Sequence, residues 1–413
     1  MKKLILMSLL AFFCMVMQAQ DIVSLSGKVY DAETGEPLKA ASVSLRGSDL
    51  SIVTNSEGIF TFKIPWSEDA VIMISHLGYL TSEVPVTDFS KGTRRIAMIP
   101  YSIRIDAAVV SAHDALALVQ SALMRVRDNY PMDHTGMTSF YRELIRKGSG
   151  KYIVLNEAIV DIDKAPTLSY IADKAAIYKG RGSVNYDSTD SLAVNFQGGI
   201  TSILDYDQVH NTFLGVNITQ LGEYYSFTMA QPVILDDRTL LTVEFNQLPQ
   251  VDDFFYRGKV FIDSESLAIA RVELNFNVER DPEAASRLFV VKIPAKYRTF
   301  INQAGAVVNY REYDGKWYYD YARIQLDFSV RRNRSIFRQN YTVTGEIAIT
   351  DHRNGRPVLV SNVDRVRYRD ILSEKVSDFT DPEFWGDYNV IEPDEDINAV
   401  VRRIIRQLNR RLQ

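Results

Sequence analysis

The residue types that do chemistry are present in this chain, but not at the spacings chemistry needs. Its five histidines are His76, His113, His134, His210 and His352. A zinc peptidase needs a His-x-x-Glu pair or a His-Glu-x-x-His helix, and none of the five has a glutamate at the required offset. Gly148-Ser149-Gly150-Lys151 resembles the end of a phosphate loop, yet its upstream glycine is missing. It also precedes a strand, where phosphate binding requires a helix N-terminus, so it reads as a hairpin turn. There is no Gly-x-Ser-x-Gly elbow to expose a serine nucleophile. Acids cluster at Asp187–Asp190, Asp205/Asp207, Asp252/Asp253 and Asp394–Asp396, without the spacing of a calcium loop. Dispersed carboxylate pairs of the glycosidase kind are not visible in a sequence, which keeps a hydrolase as an alternative function. No catalytic residue, cofactor or metal is therefore expected.

The densest aromatic run, Tyr310–Tyr321, is the candidate contact surface. Strand alternation puts Trp317, Tyr319 and Tyr321 on one face and Tyr318 on the other. Stacked rings suit a sugar or a peptide strand, while β-propensity alone also explains them.

Composition narrows the partners. The 413 residues carry a net charge of −5, so no nucleic acid is expected. Residues 1–20 read as an export signal: Lys2 and Lys3, then an apolar stretch from Leu4 to Val16, with cleavage after Ala19. Its removal takes two lysines and leaves −7. Cys14, the only cysteine, follows two phenylalanines and reads as apolar filler rather than a lipidation site. The mature chain then has no disulfide and no thiolate chemistry. No later run is apolar enough for a second membrane helix.

Two kinds of element must position whatever site exists. Residues 21–101 show short alternating runs (Leu25, Val29, Val43, Leu45, Ile59–Ile64) broken by turns at Glu33–Pro37 and Asn55–Gly58, the pattern of a β-sandwich. After a linker at 102–113, helical spacing of Leu116, Val119, Leu123 and Val126 ends at Tyr130-Pro131. From Gly136 to about Tyr368 the chain alternates as an antiparallel sheet, as in Arg271–Val278, Ala322–Val330 and Ile336–Ile349. Asp314-Gly315 and Asn354-Gly355 are hairpin signals. Tyr152–Ile162 is apolar on both faces, which predicts a covering layer. A C-terminal amphipathic helix, Asp394–Gln413, carries Ile397, Val400, Val401, Ile404, Leu408 and Leu412 as one stripe and arginines opposite. It either packs on the sheet or lies on anionic lipid.

Several short motifs resemble a known module: Gly27-Lys28-Val29, Thr34-Gly35-Glu36-Pro37-Leu38, Ala41-Ser42-Val43, Gly58-Ile59-Phe60 and Leu77-Gly78-Tyr79. They resemble the carboxypeptidase-regulatory-like (peptidase-associated, transthyretin-like) domain, which implies a seven-stranded-type sandwich and an accessory role. That family accompanies zinc carboxypeptidases and TonB-dependent receptors of Gram-negative envelopes. The remainder resembles an uncharacterised envelope domain through Asn129-Tyr130-Pro131, Ser139–Glu143, Asn156-Glu157-Ala158 and Phe384–Pro393. The hairpin Gly258–Leu274 is similar to the half-barrel of lipoprotein carriers. The expected fold is mainly β, a sandwich followed over 114–413 by a large curved antiparallel sheet with a few packing helices. The expected function is that of a non-enzymatic exported protein of the periplasm or outer membrane. It would bind a lipid, a glycan or an outer-membrane protein, with peripheral membrane contact through the C-terminal helix. The alternatives are a structural part of an outer-membrane transport complex and the hydrolase.

Overall fold

The computed structural model describes residues 21–89, 92–103, 112–148, 151–184, 199–289, 296–353, 358, 360–377 and 384–411. The export signal with Cys14, most of the linker, Asp187–Asp190 and Asn354-Gly355 lie outside the described residues.

The first unit is a sandwich of seven strands. These are β1 (Ile22–Asp31), β2 (Ser42–Leu45), β3 (Ser51–Val53), β4 (Ile59–Pro65), β5 (Val71–Ser75), β6 (Ser82–Pro85) and β7 (Arg94–Met98). One sheet runs β4-β1-β7 and the other β3-β2-β5-β6. The alternation of the sequence becomes the core: Val29, Val43, Phe60, Phe62, Ile64, Ile72 and Ile74 are fully buried between the sheets. Each such side chain contributes about 1.5–3 kcal/mol. The turn before β4 admits only glycine at Gly58. Its φ is +72°, and an added Cβ would fall 2.2 Å from the Val29 carbonyl oxygen.

The second unit is one antiparallel sheet of ten strands. They are β8 (Thr135–Lys147), β9 (Lys151–Lys164), β10 (Lys174–Val184), β11 (Tyr225–Leu235), β12 (Arg238–Gln247), β13 (Tyr256–Asp263), β14 (Ile269–Phe276), β15 (Tyr297–Tyr313), β16 (Lys316–Arg332) and β17 (Arg338–Asp351). Their order is β10-β9-β8-β17-β16-β15-β14-β13-β12-β11, and the sheet is not closed. Asp314 and Gly315, at φ 50° and 75°, make the expected tight turn between β15 and β16. Asp236 and Asp237, at φ 50° and 57°, make a similar turn between β11 and β12 without any glycine to announce it.

Both faces of the central strands are covered, for two different reasons. On one face Tyr141, Ala158, Val160, Val272, Val308 and Ile347 share a core with α1 (Ala112–Met124) and α2 (Gly199–Leu204). A third helix, α3 (Pro282–Phe289), leads toward β15. On the opposite face Phe140, Ile159, Tyr321 and Ala348 join the core of the sandwich itself. The Ser51 hydroxyl donates to the Ile349 carbonyl at 2.9 Å, tying β3 to β17. The two-faced burial of β9 is thus explained: helices cover one side, the sandwich and C-terminal segment the other. The last helix, α4 (Glu395–Arg411), buries Ile397 against Leu155, with Val400, Val401 and Ile405 beside it. The side chains of Ile404, Leu408 and the last arginines lie outside the described residues. No helix among the described residues is long and apolar enough to cross a membrane.

Candidate functional site

The structure places the aromatic candidates inside the protein. Trp317, Tyr319 and Tyr321 are 5%, 3% and 2% exposed, which leaves their ring faces no room to stack on a ligand. Their shared face is also corrected. Tyr310 pairs with Tyr319 but Asn309 pairs with Tyr321, so Asp320 is an extra residue that reverses the alternation. Trp317 and Tyr319 therefore enter the helix-side core, while Tyr321 enters the core shared with the sandwich.

Tyr319, with Tyr310 of the same run, packs on an ion cluster instead. Lys164 Nζ lies 2.6 Å from Asp173 and 2.7 Å from Asp207, all three buried. The Tyr310 hydroxyl donates to Asp207 at 2.7 Å, and the Tyr319 ring sits 5.3 Å from the ammonium. Burial works against the charge on Lys164, yet the two carboxylates hold its pKa above the usual value. The same ammonium and the Tyr310 hydroxyl overcome burial at Asp207 and hold that carboxyl below its ordinary range. Asp207 is thereby part of a structural clasp. Asp205 takes a hydrogen bond from Tyr368. Of the histidines, His134 is 2.7 Å from Asp163, His76 and His210 contact backbone carbonyls, and His352 is buried beside Tyr318. The His113 side chain lies outside the described residues. Among the described residues no three His, Cys, Asp or Glu side chains converge as metal ligands.

A second polar centre lies where the sandwich, the sheet and the C-terminal segment meet. Arg142 on β8 and Glu157 on β9 are directly paired in register. They are 2% and 1% exposed. Arg142 Nε and Nη2 donate to Glu157 Oε1 at 2.9 and 2.7 Å. The same guanidinium donates to the Ile391 carbonyl at 2.6 Å and lies 3.7 Å from Glu346. Burial opposes its charge, but Glu157 and Glu346 raise its pKa. Arg181 on β10 completes the group: its Nε donates to Glu157 Oε2 at 2.9 Å, and its guanidinium stands 4.9 Å over the Trp385 ring. Trp385 packs edge-on against Phe140 at 5.6 Å. Asn389 then reaches the sandwich. Its Oδ1 accepts from the Lys63 amide at 2.8 Å and its Nδ2 donates to the Lys63 carbonyl at 3.0 Å, so one side chain pairs with the free edge of β4. Two clefts flank this centre. One of about 590 Å³ is lined by Lys63, Arg181, Trp385 and Tyr388, and a smaller polar one of about 270 Å³ by Lys39, Asn55, Arg146 and Asp394.

On the far face of the same strand pair, Glu143 is buried and has no ion pair among the described residues. Asn156 Nδ2 donates to it at 3.2 Å and the Tyr141 hydroxyl at 3.3 Å. Burial lifts its pKa to about 7.

Three sequence motifs, Ser139–Glu143 and Asn156–Ala158 of one hairpin and the distant Phe384–Pro393, thus converge on one junction. Sequence reasoning missed its chemistry. The available signal was Glu157, a charge inside a strand expected to be buried on both faces, which requires a buried partner.

A third concavity, about 580 Å³, opens beside α1 between residues 167–173 and 208–218. Leu168, Tyr170 and Ile171 on its rim are each at least half exposed.

Comparison with known proteins bears on part of this arrangement. No curated protein matches the chain. Among solved structures, a DUF1329 family protein from Desulfovibrio piger is 11% identical, covering 60% of this chain and 96% of that one at a TM-score of 0.25. MucB is 13% identical, covering 56% and 93% at a TM-score of 0.20. Residues 25–110 match the family described as the CarboxypepD_reg-like domain. The N-terminal sandwich is therefore similar to a carboxypeptidase-regulatory-like domain, and that likeness ends before α1 begins.

Proposed function

We propose that this protein is a non-enzymatic accessory protein of the Gram-negative cell envelope. In this reading the regulatory-like sandwich is fixed onto the large open sheet, and the composite binds an apolar or extended ligand. The observation that carries it is the Arg142 junction. Its charged groups pair with one another and with backbone carbonyls, an arrangement that holds two units together. The export signal read from residues 1–20 and the accessory character of the regulatory-like family support the compartment. The groove beside α1 is the ligand site we favour, because its rim presents Leu168, Tyr170 and Ile171 to solvent beside the polar floor of Asp173 and Gln208.

Native mass spectrometry of the mature protein, followed by solvent extraction, tests this reading. A co-purifying apolar molecule that is lost in Tyr170→Asp/Ile171→Asp is the expected result. A reproducibly empty wild-type protein would remove the ligand part. A panel of glycosides and peptides checks the enzymatic alternative: turnover abolished by substitution at Asp205 or Asp252 would replace the proposal with a hydrolase.

A further inference from the structure

The hairpin joining β16 to β17 is built unlike the rest of the surface. Between Arg331 and Arg338 the sequence reads RRNRSIFR, four arginines and no acid in a chain of net charge −5. Ile336 and Phe337 at its tip are 85% and 79% exposed, adjacent in sequence and outside either strand. Alternation from Ile336 onward predicts a strand that includes this residue, but pairing begins only at Arg338.

The tip is ordered by its own backbone. The Asn333 amide donates to the Lys296 carbonyl at 2.8 Å, the Ser335 amide to the Arg332 carbonyl at 2.9 Å, and the Phe337 amide to Ser335 Oγ at 3.1 Å. Arg334 takes the left-handed conformation at φ 66°. Arg331 and Arg338 flank the Phe300 ring, at 5.3 and 4.0 Å from its centroid. None of the four arginines forms an ion pair among the described residues. Asp327 on β16 accepts from Thr342, and Glu283 on α3 pairs with Arg298. The tip also lies far from the sandwich. Arg331 lies ten positions along β16 from Tyr321, in the shared core, a span of about 33 Å.

We infer that this hairpin tip is a membrane-contact element: Ile336 and Phe337 enter the interface of a bilayer whose anionic headgroups are met by Arg331, Arg332, Arg334 and Arg338. Charge complementarity selects this occupant. Two apolar side chains are too small a patch for a stable protein interface, whereas a ring of cations around an apolar point is what an anionic lipid surface attracts. Among the described residues of α4, Ile397, Val400, Val401 and Ile405 already pack on the sheet, so these side chains are not free to enter a bilayer.

The test uses the mature full chain with vesicles of phosphatidylethanolamine plus phosphatidylglycerol, compared with vesicles of phosphatidylcholine. Co-sedimentation with the anionic vesicles at low salt, weakening as salt is raised, is expected. Ile336→Ser/Phe337→Ser should weaken binding about tenfold or more. Arg332→Gln and Arg334→Gln should each weaken it roughly fivefold. All these positions are exposed, so an unchanged melting temperature verifies that the fold is intact. Three results would overturn the proposal: no preference for anionic vesicles, binding unaffected by the tip variants, or binding lost instead in Arg402→Gln/Arg406→Gln. Self-association of the chain in solution that Ile336→Ser/Phe337→Ser abolishes would make the tip a protein contact and also reject it.

Discussion

Arginine is used in two opposite ways at the two ends of the large sheet. At the sandwich end, Arg142 and Arg181 are enclosed and meet Glu157, Glu346 and the Trp385 ring. At the far hairpin, Arg331, Arg332, Arg334 and Arg338 surround exposed apolar side chains and meet no acid among the described residues. The first set joins parts of one molecule. The second is presented outward. The difference teaches that burial with a counter-charge makes an arginine structural, and that exposure without one makes it available. Glu143 is an intermediate case, buried like Arg142 yet without an ion-pair partner among the described residues.

The largest effect should come from breaking the first set. Arg142→Met leaves Glu157 and Glu346 buried with less counter-charge, and should cost about 3–5 kcal/mol in urea unfolding. Adding Glu157→Met should recover part of that loss, since an apolar pair needs no compensation. Failure of the double variant to recover would mean that Arg181 and the 391–392 carbonyls matter more than the pair.

Next comes Glu143. Burial lifts its folded pKa to about 7, above the ordinary carboxyl value of 4.5. The native state therefore holds a proton that the unfolded chain releases near 4.5. The stabilisation linked to this proton is complete below that value and is lost as pH rises through about 7. The shift corresponds to roughly 3 kcal/mol. Urea midpoints should rise on acidification from pH 8 to pH 5, and Glu143→Gln should flatten that dependence. An unchanged pH profile in the variant would assign the dependence to other groups.

Asn389→Ala should cost about 1–2 kcal/mol, because it removes the two hydrogen bonds to Lys63. Limited proteolysis near residue 389 should accelerate in parallel. The smallest effect belongs to the hairpin: Arg332→Gln should leave stability within about 0.5 kcal/mol of the original. A larger loss there would erase the distinction between the two ends.

Much of the architecture was legible in advance. The alternation of Val29, Val43, Phe60 and Phe62 and the turns at Gly35 and Gly58 define the sandwich, because strand periodicity and positive φ are local properties. Two-faced burial in Tyr152–Ile162 announced a covering layer, though not that the sandwich would supply part of it. The aromatic run failed as a contact surface for a local reason with a distant consequence. Asp320 interrupts the pairing of β15 with β16, and one extra residue sends Tyr321 to the opposite face.

By itself the sequence determined the strands, the turns, the regulatory-like module and the charge of each segment, since these depend on neighbours a few residues apart. Only the tertiary structure decided which charges are neutralised. The β8-β9 hairpin sets Arg142 beside Glu157, but the Ile391 carbonyl that Arg142 also meets lies 249 residues away. No local pattern encodes such a distance. The roles of Arg142 and Arg332 are thus set by what the folded sheet places beside them, because the free energy of a charge depends on its burial and on its counter-charge.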